Sequence, residues 1–139
     1  MTVAVTERET TMNSIRQTVR FAASPARVYE TLMDSSRHTA FTGEPATVSR
    51  AIGGASSAYG GKVTAINLDL VANKRIVQAW RSAQFPEGGF SLATFQLNEV
   101  GSETELVFSQ DAIPEGFAEH LDKGWNERYW APLRKYLET

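Results

Sequence analysis

Cysteine is absent from the 139 residues, so disulfides, a thiolate nucleophile and a cysteine-held zinc are all excluded. Histidine is nearly as scarce: His38 and His120 stand far apart and share no metal-ligand spacing. Charge of one sign is lacking too, since fourteen Lys and Arg against sixteen Asp and Glu leave a net −2. No basic field exists to hold a phosphate backbone, which argues against a nucleic-acid partner. No run approaches the ~20 apolar residues that span a bilayer. Glu7, Arg8 and Glu9 fall where a signal peptide needs its apolar core. These absences point to one reduced, cytoplasmic domain, large enough to bury a core without covalent staples. Residues 1–13 read as a flexible polar lead-in and 14–139 as a single domain.

What is present is periodicity. In IRQTVRF, Ile15, Gln17, Val19 and Phe21 share one parity, as in a half-buried strand. Ser24 then suits a helix N-cap and Pro25 the first helical position, ahead of ARVYETLM. A second short helix is expected from Ser35 or Ser36 to Phe41, closed by Gly43 and Pro45. From residue 46 to 113 the period becomes two. ATVSRAI, KVTAINLDL, KRIVQAWRSA, FSLATFQL and TELVFSQ read as strands of an antiparallel meander, with GGASSAYGG, Ala72-Asn73-Lys74 and Pro86-Glu87-Gly88-Gly89 as turns. From Glu115 to Glu138 the spacing is helical, with Phe117, Leu121, Trp125, Tyr129, Pro132 and Tyr136 in one arc and a bend expected at Pro132. The class is α+β.

Catalytic signatures are missing. The glycine-rich stretch from Gly53 to Lys62 fails as a phosphate loop. Ser56 stands where a glycine is needed, Val63 replaces the hydroxyl residue, and a strand follows. There is no Gly-x-Ser-x-Gly elbow. Asp69 and Asp111 lie near strand ends and suit ion pairs with Arg75 or Arg81 better than acid–base work. His120 falls on the outer side of the helix, and His38 reads as a support for its loop. No catalytic residue, metal or cofactor is assigned. On the presumed inner face Gln78 shares parity with Ile76 and Trp80, so it either bonds within the core or points at a ligand. Trp80, Phe95, Phe108 and Trp125 converge there as well, forming either solid core or the lining of an apolar pocket. Trp130 falls on the polar side of the helical wheel, covered by a loop or exposed as an anchor for a partner.

Several of these segments together carry a resemblance. Ser24-Pro25-Ala26-Arg27-Val28-Tyr29 is followed by Lys74-Arg75-Ile76-Val77-Gln78-Ala79-Trp80-Arg81, then Phe85-Pro86-Glu87-Gly88, Glu103-Thr104-Glu105-Leu106, Ile113-Pro114 and Gly124-Trp125. In this order, from Ile15 to Leu137, the chain resembles the START-like helix-grip (SRPBCC) superfamily. Within it, the chain is similar to homologues of the activator of heat-shock protein 90 ATPase, in particular to that activator's C-terminal domain. The resemblance implies a curved six- to seven-stranded antiparallel sheet around a long C-terminal helix, with two short helices after the first strand. It also implies a cavity between sheet and helix, for which Gln78, Trp80, Phe95, Phe108, Leu121, Trp125 and Tyr129 are the lining candidates. The expected function is non-catalytic binding of a small hydrophobic molecule. The alternative is a co-chaperone-like module that binds heat-shock protein 90 and modulates its ATPase, with Trp130 as a candidate partner surface; cyclase-like chemistry is the weakest reading. A length of 139 residues is expected to hold this module without a second domain, as a monomer or homodimer.

Overall fold

The computed structural model describes residues 5–138. Within the stretch expected to be a loose lead-in, Val5–Thr10 forms an edge strand, β1, paired antiparallel with β2 (Ile15–Phe21). Its charges suit that place: an edge strand is half solvated, and charged side chains discourage pairing with other chains. Residues 1–4 lie outside the described part.

Strand β2 buries Ile15, Gln17, Val19 and Phe21, as their alternation requires. The Ser24 hydroxyl accepts the Arg27 N–H at 3.2 Å and caps α1 (Pro25–Met33). Asp34 does the same for α2 (Ser35–Thr42), which ends where Gly43 turns left-handed at φ 76°.

The segment 46–52 departs from the expected strand. Only Thr47 makes a ladder-type bridge, to Ser57, and the neighbouring strand β3 is Ala55–Ala58, inside the stretch read as a turn. Asn67 decides the difference. Fully buried, it donates its side-chain N–H groups to the carbonyls of Ser49 (2.8 Å) and Ala51 (3.1 Å). Its backbone binds Gly53 and Gly54 at the same time. A loop so held cannot extend as a strand. A single long β-period stretch gives no sign of this, because the anchor lies fifteen residues downstream of it.

The meander continues as β4 (Val63–Val71), β5 (Arg75–Ser82), β6 (Ser91–Val100) and β7 (Glu103–Asp111), giving the antiparallel order β1-β2-β7-β6-β5-β4-β3. A helix lies across the inner face, as expected, but it is not uniform. Between α3 (Ala118–Gly124) and α4 (Ala131–Leu137) it widens into a π-helical turn, Trp125–Trp130, in which the Ala131 N–H bonds the Asn126 carbonyl. Pro132 sits at the start of α4 in a helix that continues from the π-turn, so the N–H it lacks leaves a carbonyl of the preceding turn in need of another donor. Among the described residues no helix is long and apolar enough to cross a membrane.

The π-turn corrects the place of Trp130. At 100° per residue it lies about 140° around the helix from Trp125, on the polar side. A π-turn bonds residue i to i+5, so residues five apart return to one face. Trp130 is accordingly 0% exposed and stacked on Trp125, with ring centroids 5.5 Å apart and planes at 24°. It offers no surface to a partner.

Two buried glutamines fix that turn to the sheet. The Trp130 indole N–H donates to Gln17 Oε1 at 2.6 Å, and Gln17 Nε2 donates to the carboxylate (2.7 Å) and carbonyl (3.0 Å) of Asp122. Asp122 is paired in turn with Arg8 of β1 at 2.6 Å. The Trp125 indole donates to Gln110 Oε1 at 2.8 Å, and Gln110 Nε2 donates to Ser91 Oγ at 2.9 Å. Each amide is thus held at both ends, so neither indole can change partner without stranding a buried polar group. Replacing Gln17 by Leu strands the Trp130 N–H and removes a partner of Asp122. We expect a loss of about 3 kcal/mol in urea unfolding. Arg16→Ala, which breaks an exposed ion pair with Asp111 and a long 3.4 Å bond to the Ile15 carbonyl, is expected to cost less than about 1 kcal/mol.

Candidate functional site: a cavity between sheet and helix

A cavity of about 800 Å³ opens between the C-terminal helix, α1–α2 and the β3–β5 side of the sheet. Gln78, Trp80, Phe95, Leu121, Trp125 and Tyr129 all line it, as does His38. Phe108 does not. It is fully buried behind Trp125, its ring centroid 4.4 Å away, and belongs to the core. The rings expected to surround the space instead close its inner end. Trp80 and Phe95 stand 5.6 and 5.9 Å from Trp125, and the open volume extends from them toward β3, β4 and α2.

The sheet supplies its share of the wall through parity: Ile76, Gln78 and Trp80 of β5 face inward, Val77 and Ala79 outward. The hairpin between β3 and β4 closes one side. At its tip Tyr59 adopts φ 52°, a conformation uncommon outside glycine, followed by Gly60 and Gly61 at 65° and 93°. Pro132 has no N–H to give the Arg128 carbonyl four residues before it, and the Tyr59 hydroxyl donates there at 2.7 Å. The hairpin is thereby strapped to the helix at the position where the helix lacks a donor.

Charge is confined to the rim. Of the lining residues, Glu44, Lys62, Glu127 and Arg128 are charged and exposed; His120 is exposed too, in the solvated place its wheel position assigns. The interior is neutral. His38 is 5% exposed, with Nε2 2.9 Å from the Tyr129 hydroxyl and its ring against Phe41 at 4.7 Å. Burial lowers its pKa to about 4, so the imidazole is uncharged near neutrality. Burial likewise raises the Tyr129 and Tyr59 phenols, which stay protonated. Among the described residues no three His, Cys, Asp or Glu side chains gather as a metal site. The His38 side chain reaches Tyr129 of the C-terminal helix where support of its own loop is the expectation, and its place in the cavity wall has no counterpart in the sequence reading. The available signal was its spacing from Phe41, which puts both rings on the buried face of a polar helix.

The expected ion pairs are met in part. Asp69 bonds Arg75 at 2.8 Å, whereas Asp111 pairs with Arg16. Arg81 takes no carboxylate and instead binds the carbonyls of Pro86 (2.6 Å), Gly89 (2.9 Å) and Phe85 (3.2 Å), which shapes the β5–β6 loop.

Residues 22–138, from the end of β2 through α4, match the model of the family described as "Activator of Hsp90 ATPase homolog 1-like protein". The chain belongs to that family. Among members with a curated description, the activator of 90 kDa heat shock protein ATPase homolog 1 of Homo sapiens is 32% identical over 115 residues, 83% of this chain and 34% of the human protein. The Dictyostelium discoideum homologue is 28% identical over 119 residues, 85% of this chain and 31% of its own length. The chain thus spans about a third of the curated family members it matches. In fold it superposes on an HSP90 activator from Plasmodium falciparum with a TM-score of 0.86 at 21% identity, over 91% of this chain and 96% of that one. It also superposes on an Aha1 dimer subunit from Colwellia psychrerythraea with a TM-score of 0.78 at 20% identity, over 91% and 97%. The helix-grip architecture is therefore common to this chain and other family members.

The buried histidine gives this activator-family domain a measurable acid response. His38 titrates near 4 in the folded chain and near 6.5 when unfolded. Between those values the unfolded chain binds the additional proton, so stability is full above pH 6.5 and falls as the pH drops toward 4. Urea midpoints are expected to decline over that window, with about 2 kcal/mol lost to this group by pH 5. His38→Gln should flatten that part of the profile.

Proposed function

We propose that the chain is a chaperone-binding module of the activator type, which docks on heat-shock protein 90 and modulates its ATPase. The observation that carries this reading is the 32% identity to the human activator over 115 residues, 83% of this chain. A cytoplasmic place goes with it, and the Colwellia dimer makes a homodimer an accompanying expectation. Purified chain titrated into a heat-shock protein 90 tests it through binding and ATP turnover. Binding with a change in rate is expected. Neither binding nor any change in rate would contradict it.

A second reading is favoured by the cavity, namely retention of a small hydrophobic molecule between sheet and helix. A space of about 800 Å³ with several aromatic rings in its walls, an uncharged interior and more apolar than polar surface is of the size and character of ligand sites. Neither reading assigns a catalytic residue. Native mass spectrometry of freshly purified chain is expected to show an added mass that is lost on organic extraction. A bare mass throughout, together with no uptake of added apolar probes, counts against the cavity as a binding site.

A further inference from the structure

We infer that Gln78 is a fixed hydrogen-bond acceptor in the cavity, selecting a neutral apolar molecule that carries a hydroxyl or N–H donor. The inference rests on the cavity-binding reading above and names the chemistry that reading leaves open.

Its orientation is set outside the cavity, at Asn67. Both side-chain N–H groups of Asn67 are used, toward the carbonyls of Ser49 and Ala51 at 2.8 and 3.1 Å. Turning this amide around would set its oxygen against two carbonyl oxygens in a fully buried place. Asn67 Oδ1 is therefore left to accept, and Gln78 Nε2 donates to it at 3.0 Å from the directly opposite ladder position. A reversed Gln78 would bring two amide oxygens together. Both amides are thus fixed in sequence: Gln78 keeps a second Nε2 N–H and Oε1, and Oε1 is its one acceptor, held in place by the Asn67 bond.

Among the described residues that oxygen has no hydrogen-bond partner. Among the described residues the buried side-chain polar atoms without one are His38 Nδ1 and Asn126 Oδ1, and Gln78 Oε1 is not among them. It is open, and on the inward face of β5 the opening is the cavity. Around it stand Ile76, Trp80 and Phe95, with the cavity's charges held out at the rim. A carboxylate brought there would meet the negative end of a carbonyl dipole. A cation would shed its hydration with no counter-ion. A neutral donor group gains the bond that the site lacks.

A matched pair of isomers tests this: 1-decanol and nonyl methyl ether, of one composition and similar length, only the first carrying a donor. Each is titrated into the full chain and followed by the fluorescence of the cavity tryptophans. The alcohol is expected to bind about three- to tenfold more tightly. Gln78→Leu should abolish that preference while still taking up the ether. Equal affinities in the wild type, or tighter binding of the ether, would overturn the acceptor assignment and leave the cavity reading standing. Failure of both molecules to bind would overturn the two together. The wild-type comparison decides even if Q78L does not fold.

Discussion

Two indole N–H groups bonded to two sheet glutamines set the geometry on which the rest of this domain depends. Trp125 and Trp130 are large enough to fill the space between helix and sheet, but each brings a polar atom that must be satisfied there. Gln110 and Gln17 meet that need from adjacent strands, and each is held by further bonds, to Ser91 and to Asp122. For both indoles to reach the sheet, residues five apart must face the same way. A π-turn does this and a regular α-helix does not. The helix is thus seated at its middle by paired, directional contacts as well as by apolar burial.

The cavity follows from where that seat lies. On the β2 and β7 side Phe21, Leu106 and Phe108 close against Trp130 and Leu133 without space, all nearly or fully buried. On the β4 and β5 side Trp80 alone is of comparable size, and it meets Trp125 at the inner end of the cavity. The sheet there contributes Ala65, Ile76 and Gln78, and the helix Leu121, Gly124 and Arg128. The gap is kept from collapsing by the tether from Tyr59 to the Arg128 carbonyl and by the loop nailed to Asn67. Both supports are hydrogen bonds, so the void is held open by polar geometry at its margins while its walls remain mainly apolar.

Much of this was legible in the chain itself. Alternation located β2 and the β4–β7 meander, Ser24-Pro25 located α1, and shared parity put Gln78 and Trp80 on one inner face. Leu121 and Trp125 reach the cavity because the α-helical period holds up to the π-turn, and Tyr129, inside it, stays on that face because four residues there still make nearly one turn. What could not be read depended on partners distant in sequence. A strand-like pattern at 46–52 is overruled by Asn67, and the charges of β1 conceal an edge strand whose Arg8 reaches Asp122. Trp130 was misplaced because a wheel assumes one period throughout. Phe108 was assigned to the cavity because parity gives the face of a strand, not the depth behind a neighbouring ring.

Hydrogen exchange at the three indole N–H groups measures the seat of the helix most directly. Trp80 has no hydrogen-bond partner for its indole among the described residues and borders the cavity, whereas Trp125 and Trp130 are bonded in buried places. The account expects the Trp125 and Trp130 signals to exchange together, by opening of the whole domain, and at least ~100-fold more slowly than Trp80. Exchange of Trp125 or Trp130 as fast as that of Trp80 would contradict it, because the helix would then not be held by its glutamines.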